Sequence, residues 1–189
     1  MLDDALTGGF DDAPVQSARA FRAALSALSR PGKIETITGG YAPDPVSPAA
    51  ATLLLTLCDR ETPLHLAPGH DGQAVRDWVA FHIGAPLVGP AEAMFALGRW
   101  QALMPVTGFP IGTAEYPDRS ATLIVELDTL TASGARLTGP GIETAAHLSV
   151  PEVRVLRANR ALFPLGLDFF FTSETRLAAV PRSTIVEES

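Results

Sequence analysis

Two apolar stretches in the second half of the chain constrain its fold more than any other feature. Residues 121–127 read ATLIVEL and residues 166–172 read GLDFFFT. Neither stretch alternates strictly between apolar and polar side chains, which favours strands covered on both faces over strands with one solvated face. A sheet covered on both faces needs other elements packed on it. These stretches therefore predict an α/β domain with buried central strands.

Helical patterns dominate the first half of the chain. The first predicted helix covers 14–29, begins at Asp11 or Asp12 and ends at Pro31 and Gly32. Its apolar residues recur at helical spacing: Val15, Ala18, Phe21, Leu25 and Leu28. This spacing predicts an amphipathic helix whose apolar face packs on the core.

Three further helices are predicted. One runs from Pro48 to about Cys58 with Ser47 as its cap, and its almost wholly apolar composition predicts burial. Another is capped by Asp71 and continues through Ile83. The residues expected on its inward face are Val75, Trp78, Val79 and His82. The last covers 153–162.

Shorter strands complete the predicted sheet. They cover 34–38, 64–67, 93–97, the interval between Gly134 and Gly139, 176–180 and 183–186. A short helical turn is expected near Trp100, and 105–120 reads as a long loop of the kind that often has a function. Residues 1–189 are thus expected to form a single α/β domain with a mixed sheet flanked by helices.

Composition narrows the functional classes. The 189 residues suit one domain, and the net charge of −7 argues against a duplex nucleic acid as partner. Leu2-Asp3-Asp4 does not resemble a leader, and no apolar run reaches the length of a membrane span. We therefore expect a cytoplasmic protein. The single cysteine, Cys58, allows neither a disulfide within the chain nor a cysteine-based metal cage.

The histidines do not predict a metal site. None of the four stands at ligand spacing such as HxH or HExxH. His82 is expected to be a hydrogen-bonded core residue, and His70 is expected to be solvated in a turn. We therefore predict that the chain holds no metal.

The loop before the first apolar strand carries one set of candidate binding residues. Asp118, Arg119 and Ser120 would lie at the entering end of the sheet, where Arg119 could hold a phosphate or a carboxylate of a partner. The alternative is a surface ion pair between Asp118 and Arg119, with Ser120 capping the turn.

Two other places could bind an anion or stabilise the fold. Gly139 and Gly141 form a tight turn whose amides could cradle an anion, although a simple strand-end turn has the same sequence pattern. Asp168 is an acid within an apolar strand, so it needs a partner, and Arg160 or Arg182 could supply one. The glycine turn and the Asp168 pair could each instead belong to a binding site.

No complete catalytic motif is present. The chain lacks the GxSxG pattern of a serine nucleophile and the GxxxxGK pattern of a phosphate-binding loop. It has thirteen arginines but only one lysine, Lys33. The residues themselves therefore leave the catalytic role unknown.

An ordered series of short motifs nevertheless resembles a known family. The series comprises Gly9-Phe10-Asp11, Ser29-Arg30-Pro31-Gly32, Glu61-Thr62-Pro63-Leu64, Ser120-Ala121-Thr122-Leu123, Gly139-Pro140-Gly141-Ile142, Phe163-Pro164-Leu165-Gly166-Leu167-Asp168 and Pro181-Arg182-Ser183-Thr184. In this order, from about Gly9 to Val186, the chain resembles the PhnH family, a component of the bacterial carbon–phosphorus lyase system. Members of that family often have threonine where this chain has Ser183, an exchange that keeps the hydroxyl group.

The resemblance implies a fold, partners and a function. It implies an α/β fold like a reduced large domain of pyridoxal-phosphate (PLP)-dependent transferases, but without PLP. It also implies a homodimer when isolated, and a complex with subunits G, I and J. Together with G, I and L, the family supports transfer of ribose triphosphate from ATP to a phosphonate. ATP would then be used by the assembled complex, and this chain would be an accessory subunit of a transferase and lyase assembly.

The residues agree with that expectation in two respects. A PLP enzyme needs a Schiff-base lysine, and Lys33 follows a helix-ending turn that we cannot connect with a cofactor pocket. An iron–sulfur cluster needs several cysteines, and Cys58 is alone.

Two alternatives remain open at this point. One is an independent enzyme acting on a phosphorylated substrate held among Asp118, Arg119, Asp168 and Arg182. The other is a non-catalytic anion-binding module.

Overall fold

The computed structural model describes residues 7–189, so the prediction made for Leu2-Asp3-Asp4 lies outside it. Within this range the helices are α1 (Ala13–Ser29), α2 (Pro48–Leu57), α3 (Gln73–His82), α4 (Trp100–Leu103) and α5 (Val153–Arg160). The strands are β1 (Glu35–Thr36), β2 (Leu64–Leu66), β3 (Phe95–Arg99), β4 (Thr122–Glu126), β5 (Ala135–Thr138), β6 (Ala146–Leu148), β7 (Asp168–Ser173), β8 (Arg176–Val180) and β9 (Ile185–Glu187). Over the described residues, no helix is both long enough and apolar enough to span a bilayer.

The main sheet is mixed, as predicted. Its strand order is β1-β8-β7-β4-β3-β2. The four strands β2, β3, β4 and β7 run parallel, whereas β8 is antiparallel to β7 and to β1. Ile124 in β4 is opposite Leu97 of β3 on one side and Phe170 of β7 on the other. The two apolar stretches therefore form neighbouring central strands.

Both faces of this sheet are covered, which explains why its central strands do not alternate strictly. Ile124 and Phe170 pack with the first core cluster, which includes residues of α1, α2 and α3. Leu123 and Phe169, one residue earlier in each strand, pack with the second cluster. That cluster includes Trp100 of α4, residues of α5 and a small second sheet. Successive side chains of each central strand thus enter opposite cores.

The second sheet was not predicted. It is antiparallel, with the order β6-β5-β9, and its Leu137 is opposite Ala146 and Val186. The expected strands after Gly134 and near the C-terminus are present, but they pair here and do not extend the main sheet. Strand β6 has only three residues, which is too short to give a pattern in the sequence. Burial of Leu137 and Leu148 against the second core stabilises this layer.

Of the five residues predicted to form the buried apolar face of α1, only Leu28 packs on the core, and the others point away from it. Val15, Phe21 and Leu25 are 44%, 52% and 54% exposed. The buried residues of the helix are alanines on the opposite side: Ala20, Ala24 and Ala27. These small side chains let α1 pack closely on α2 and β8. The prediction was wrong because α1 has two apolar stripes, and the larger side chains are not on the buried one.

Helix starts were predicted with mixed success. Ser47 caps α2 as expected, with its Oγ accepting a hydrogen bond from the Ala50 N–H at 3.2 Å. Asp12 is the N-cap residue of α1, but its side chain forms no capping bond. The residue that caps α3 is Gly72 and not Asp71. The carboxylate of Asp71 instead forms an exposed ion pair with Arg76.

Candidate functional site

Three predicted site residues meet at the amino-terminal edge of the parallel strands. Asp168 begins β7, Ser120 precedes β4, and Arg182 follows β8, whose antiparallel direction brings its end to the same edge. The guanidinium of Arg182 donates from Nε to Asp168 Oδ1 at 3.1 Å and from Nη2 to Oδ2 at 2.5 Å. Nη2 also contacts Ser120 Oγ. The partner predicted for Asp168 is thus Arg182, and Arg160 lies over the ring of Phe163 instead.

Contacts within the protein already use most of the hydrogen-bonding capacity of this cluster. Arg182 Nη1 donates to the Pro117 carbonyl at 2.6 Å, and the backbone N–H of Arg182 donates to Asp168 Oδ1 at 2.9 Å. Four of the five N–H donors of the guanidinium group are therefore used. The two charged side chains are 14% and 23% exposed. These contacts can hold the loop before β4, strand β7 and the C-terminal segment together. They leave few free donors with which Arg182 could bind a phosphate.

Arg119 lies outside this cluster. Its guanidinium stacks on the ring of Tyr116, 4.1 Å from the ring centroid. Within residues 7–189, the predicted alternative of an ion pair between Asp118 and Arg119 does not form. Arg119 is exposed and its charge is available to a ligand or a partner protein.

The turn of Gly139 and Gly141 packs against backbone on both sides. Gly139 has φ 122°, and a β-carbon there would lie 3.3 Å from the Ser183 carbonyl oxygen. Gly141 has φ 82°, and a β-carbon there would collide with the Ser29 carbonyl oxygen. The turn joins β5 to β6 and needs glycine because of its dihedral angles and these approaches. An anion-binding role for its amides stays a prediction.

A second polar cluster lies at the opposite, carboxyl-terminal edge of the sheet, where ligands bind in open α/β sheets. His70 follows β2 and Glu126 ends β4, and their Nε2 and Oε2 atoms are 2.9 Å apart. The other carboxylate oxygen of Glu126 accepts the Ser47 N–H at 2.8 Å. His70 is only 2% exposed, so the expectation that it would be solvated was wrong.

Sequence reasoning missed this pair although a signal existed. Glu126 is a lone acid in an apolar strand, as Asp168 is, and the need for a buried partner applies equally to both. The Nδ1 atom of His70 is also buried, and it has no hydrogen-bond partner among the described residues. Among the described residues, no nucleophilic side chain is hydrogen-bonded to the His70 imidazole. The pair therefore lacks the third group that a nucleophilic site would require.

One apolar cavity offers no charged group. It has a volume of about 420 Å³ and lies between α5 and the loop that follows α4, with Met104, Val106, Ile111, Val155 and Leu162 among its lining residues. Such a surface suits an apolar group and not a phosphate. No cluster of three or more metal-ligating side chains occurs in the part of the chain that the structure describes.

Comparison with known proteins identifies the family of the chain, which the geometry of the two clusters does not. The profile of the family "Bacterial phosphonate metabolism protein (PhnH)" matches residues 8–187. The chain belongs to the PhnH family. The match covers the main sheet, the second sheet and both polar clusters.

Two relatives have names that describe a role. One, from Rhizobium meliloti (strain 1021), is the alpha-D-ribose 1-methylphosphonate 5-triphosphate synthase subunit PhnH, and it is 35% identical over 96% of this chain and 95% of its own length. The other, from Stutzerimonas stutzeri, is HtxG, assigned provisionally as a C–P lyase subunit protein. It is 28% identical over 87% of this chain and 83% of its own length. Both names describe subunits.

Proposed function

We propose that this member of the PhnH family is a subunit of the carbon–phosphorus lyase assembly in phosphonate breakdown. With partner subunits it supports transfer of ribose triphosphate from ATP to a phosphonate. The observation that carries the proposal is the 35% identity, over nearly the whole of both chains, to a subunit of the corresponding synthase.

The geometry favours an accessory role over an independent enzyme. The candidate residues of the independent enzyme do not converge on one open site, because Arg182 and Asp168 neutralise each other whereas Arg119 stacks on Tyr116. The buried His70–Glu126 pair has no nucleophile beside it among the described residues. An anion-binding module without partners has support only from the turn of Gly139 and Gly141.

The proposal extends to partners, cofactors and location. The partners are subunits G, I and J, with L joining for the transfer step, and the isolated chain is a homodimer in the cytoplasm. The assembled complex uses ATP, and this chain holds neither PLP nor a metal. Lys33 is the only lysine, and its Nζ is 2.5 Å from Glu35 Oε1 in the turn that follows α1. This ion pair argues against a Schiff base between Lys33 and PLP.

Reconstitution tests the proposal directly. The purified chain, incubated with ATP and methylphosphonate, should release no adenine. Adding the chain to subunits G, I and L should raise adenine release well above the rate of those three alone. Turnover by the isolated chain would support the independent enzyme, and an unchanged rate in the mixture would refute the subunit role.

A further inference from the structure

Helix α5 and the loop after α4 enclose an apolar cavity of about 420 Å³. Val155, Ala158 and Leu162 form one wall, at helical spacing along α5 and the turn that follows it. The loop 104–111 forms the other wall, and its lining residues are apolar except Thr107. We refer to this space as the α5 cavity. Its volume lies within the range of roughly 300–1,000 Å³ that is typical of small-molecule sites.

Hydrogen bonds hold the floor and the two walls of the α5 cavity in place. Asn159 Nδ2 donates to the Leu167 carbonyl at 2.9 Å, and Asn159 Oδ1 accepts the Leu167 N–H at 2.7 Å. The Gly166 N–H donates to the Ile111 carbonyl at 3.0 Å, which joins the turn after α5 to the opposite loop. The cavity is therefore formed before any ligand enters, and a preorganised site loses less conformational entropy on binding.

Apolar side chains at the mouth of the cavity remain in contact with water. Leu162, which lines the cavity, is 45% exposed, and the next residue, Phe163, is 51% exposed. Ala158 is also exposed. Exposed apolar side chains beside an apolar cavity indicate a place where an apolar group can be buried.

Helix α5 also brings positive charge to one side of the cavity. It contains three arginines and no acid, although the chain has a net charge of −7. Arg154 precedes Ala158 by four residues, so the two are neighbours on the helix surface. Arg154 is 90% exposed, and its ion pair with Glu152 has a long separation of 3.6 Å. Arg157, one turn further along, is exposed and forms no ion pair within residues 7–189. The facing loop 104–111 contains no charged residue.

This combination discriminates between classes of ligand. Inorganic phosphate could meet Arg154 and Arg157, but it would leave the apolar walls in water. A neutral hydrocarbon could fill the cavity, but it would make no use of the two guanidinium groups. A molecule with an apolar body and an anionic head satisfies both, because a guanidinium group binds carboxylate and phosphate-like oxygens with two parallel hydrogen bonds.

We propose that the α5 cavity binds an amphiphilic organic anion. The apolar body of the ligand lies against Val155 and Leu162, and its anionic head is bound by Arg154 and Arg157. No residue that lines the cavity belongs to either of the two polar clusters. The inference goes beyond the proposed function and does not depend on it, because the whole site lies within this chain and can be measured without partner subunits.

Isothermal titration calorimetry with octanoate and octan-1-ol tests the ligand class. Octanoate should bind the wild type with a negative heat-capacity change, the mark of apolar burial. Octan-1-ol, with the same chain length and no charge, should bind about fivefold more weakly, the effect of one solvated ion pair. The double variant Arg154→Gln, Arg157→Gln should lose this preference. The control Arg19→Gln, Arg22→Gln removes two exposed arginines at the same spacing on α1 and should keep it. Equal affinity of the wild type for both probes would overturn the anionic head, and no binding of octanoate would overturn the site.

A variant that fills the cavity tests the location. Ala158→Phe places a ring where the apolar body would lie, so octanoate affinity should fall by about tenfold or more as that burial is lost. The matched control is Ala161→Phe, because Ala161 is exposed at the end of α5 and does not line the cavity. It should bind octanoate as the wild type does. Circular dichroism checks that both variants fold, and unchanged affinity in a folded Ala158→Phe variant would overturn the proposal.

Methionine methyl NMR locates the probe without any substitution. Met104 lines the cavity, whereas Met94 is 49% exposed before β3. Octanoate should shift the methyl signal of Met104 and leave that of Met94 in place. Equal shifts of both signals, or a shift of Met94 alone, would overturn the assignment of the site. Octylphosphonate in the same titrations distinguishes the kind of head: tighter binding than octanoate would narrow the ligand class to phosphonates, and equal binding would support the broader class.

Discussion

Arg182 is the residue on which most of the amino-terminal edge depends. Its side chain connects β7 through Asp168, the segment before β4 through Ser120, and the preceding loop through the Pro117 carbonyl. The charged side chains of Arg182 and Asp168 are both mostly buried. Solvent therefore screens their attraction less than it screens a surface ion pair. Removing one partner leaves the other as an uncompensated charge.

Arg182→Ala should accordingly destabilise the fold by about 3 kcal/mol, at the lower end of the cost of breaking a buried pair because some solvent reaches it. Urea denaturation should show the loss as a lower midpoint at unchanged slope. The matched control is Arg119→Ala, which removes an exposed arginine and should change stability by no more than about 0.5 kcal/mol. Equal stability of the two variants would show that the Arg182 contacts contribute little.

Glu126 plays the corresponding part at the carboxyl-terminal edge. Replacing it by alanine leaves the half-buried Ser47 N–H and the buried His70 imidazole without their acceptor. The expected loss is about 2–4 kcal/mol, the desolvation cost of two stranded polar groups. Thermal unfolding should show it clearly, with the exposed Glu115→Ala as control. A melting temperature equal to that of the control would contradict a structural role for the pair.

At the level of elements, a small polar cluster ties β1 to α1. Glu35 Oε1 accepts a hydrogen bond from Ser26 Oγ at 2.6 Å and is 2.5 Å from Lys33 Nζ. These contacts hold the pKa of the Glu35 carboxyl below its ordinary value of 4.5, with the Lys33 hydrogen bond the largest cause and that of Ser26 next. A carboxylate with a lowered pKa stabilises the fold where it is ionised.

Glu35→Gln should therefore lower stability at neutral pH by less than about 1 kcal/mol, because the Lys33 partner is substantially exposed. The difference from wild type should be complete above pH 4.5 and should disappear as the pH falls through the lowered pKa. Chemical denaturation at a series of pH values measures it. A difference that stays constant down to the most acid pH would exclude this origin.

The sequence predicted those elements well whose burial on all sides requires a continuous run of apolar residues. Strands β4 and β7 and helix α2 lie where apolar composition placed them, and the family resemblance was confirmed. The face of α1 was not predictable, because alanine and the larger apolar residues both recur at helical spacing. The partner of Glu126 was also not found, because His70 is 56 residues away and only the fold brings the two together.

For the whole molecule, the proposed subunit role would depend on surfaces that other subunits can bind. Arg119 is an exposed cation in the loop before β4, and its guanidinium group stacks on Tyr116. We expect Arg119→Ala to fold normally but to reduce adenine release by the reconstituted subunits, or their co-elution in size-exclusion chromatography. Full activity and full assembly of this variant would exclude a role for Arg119 in the complex.

The turn after α1 determines which chemical probes can map the assembly. Lys33 is the only lysine of the chain, and its amine is held against Glu35. Amine-reactive crosslinkers would thus report distances from Lys33 and the N-terminal amine alone. Acylation would also remove the positive charge of Lys33 that pairs with Glu35. It would thereby loosen the junction between α1 and β1, from which the distance is measured. Cysteines placed singly on exposed helices would map the subunit contacts without disturbing that junction.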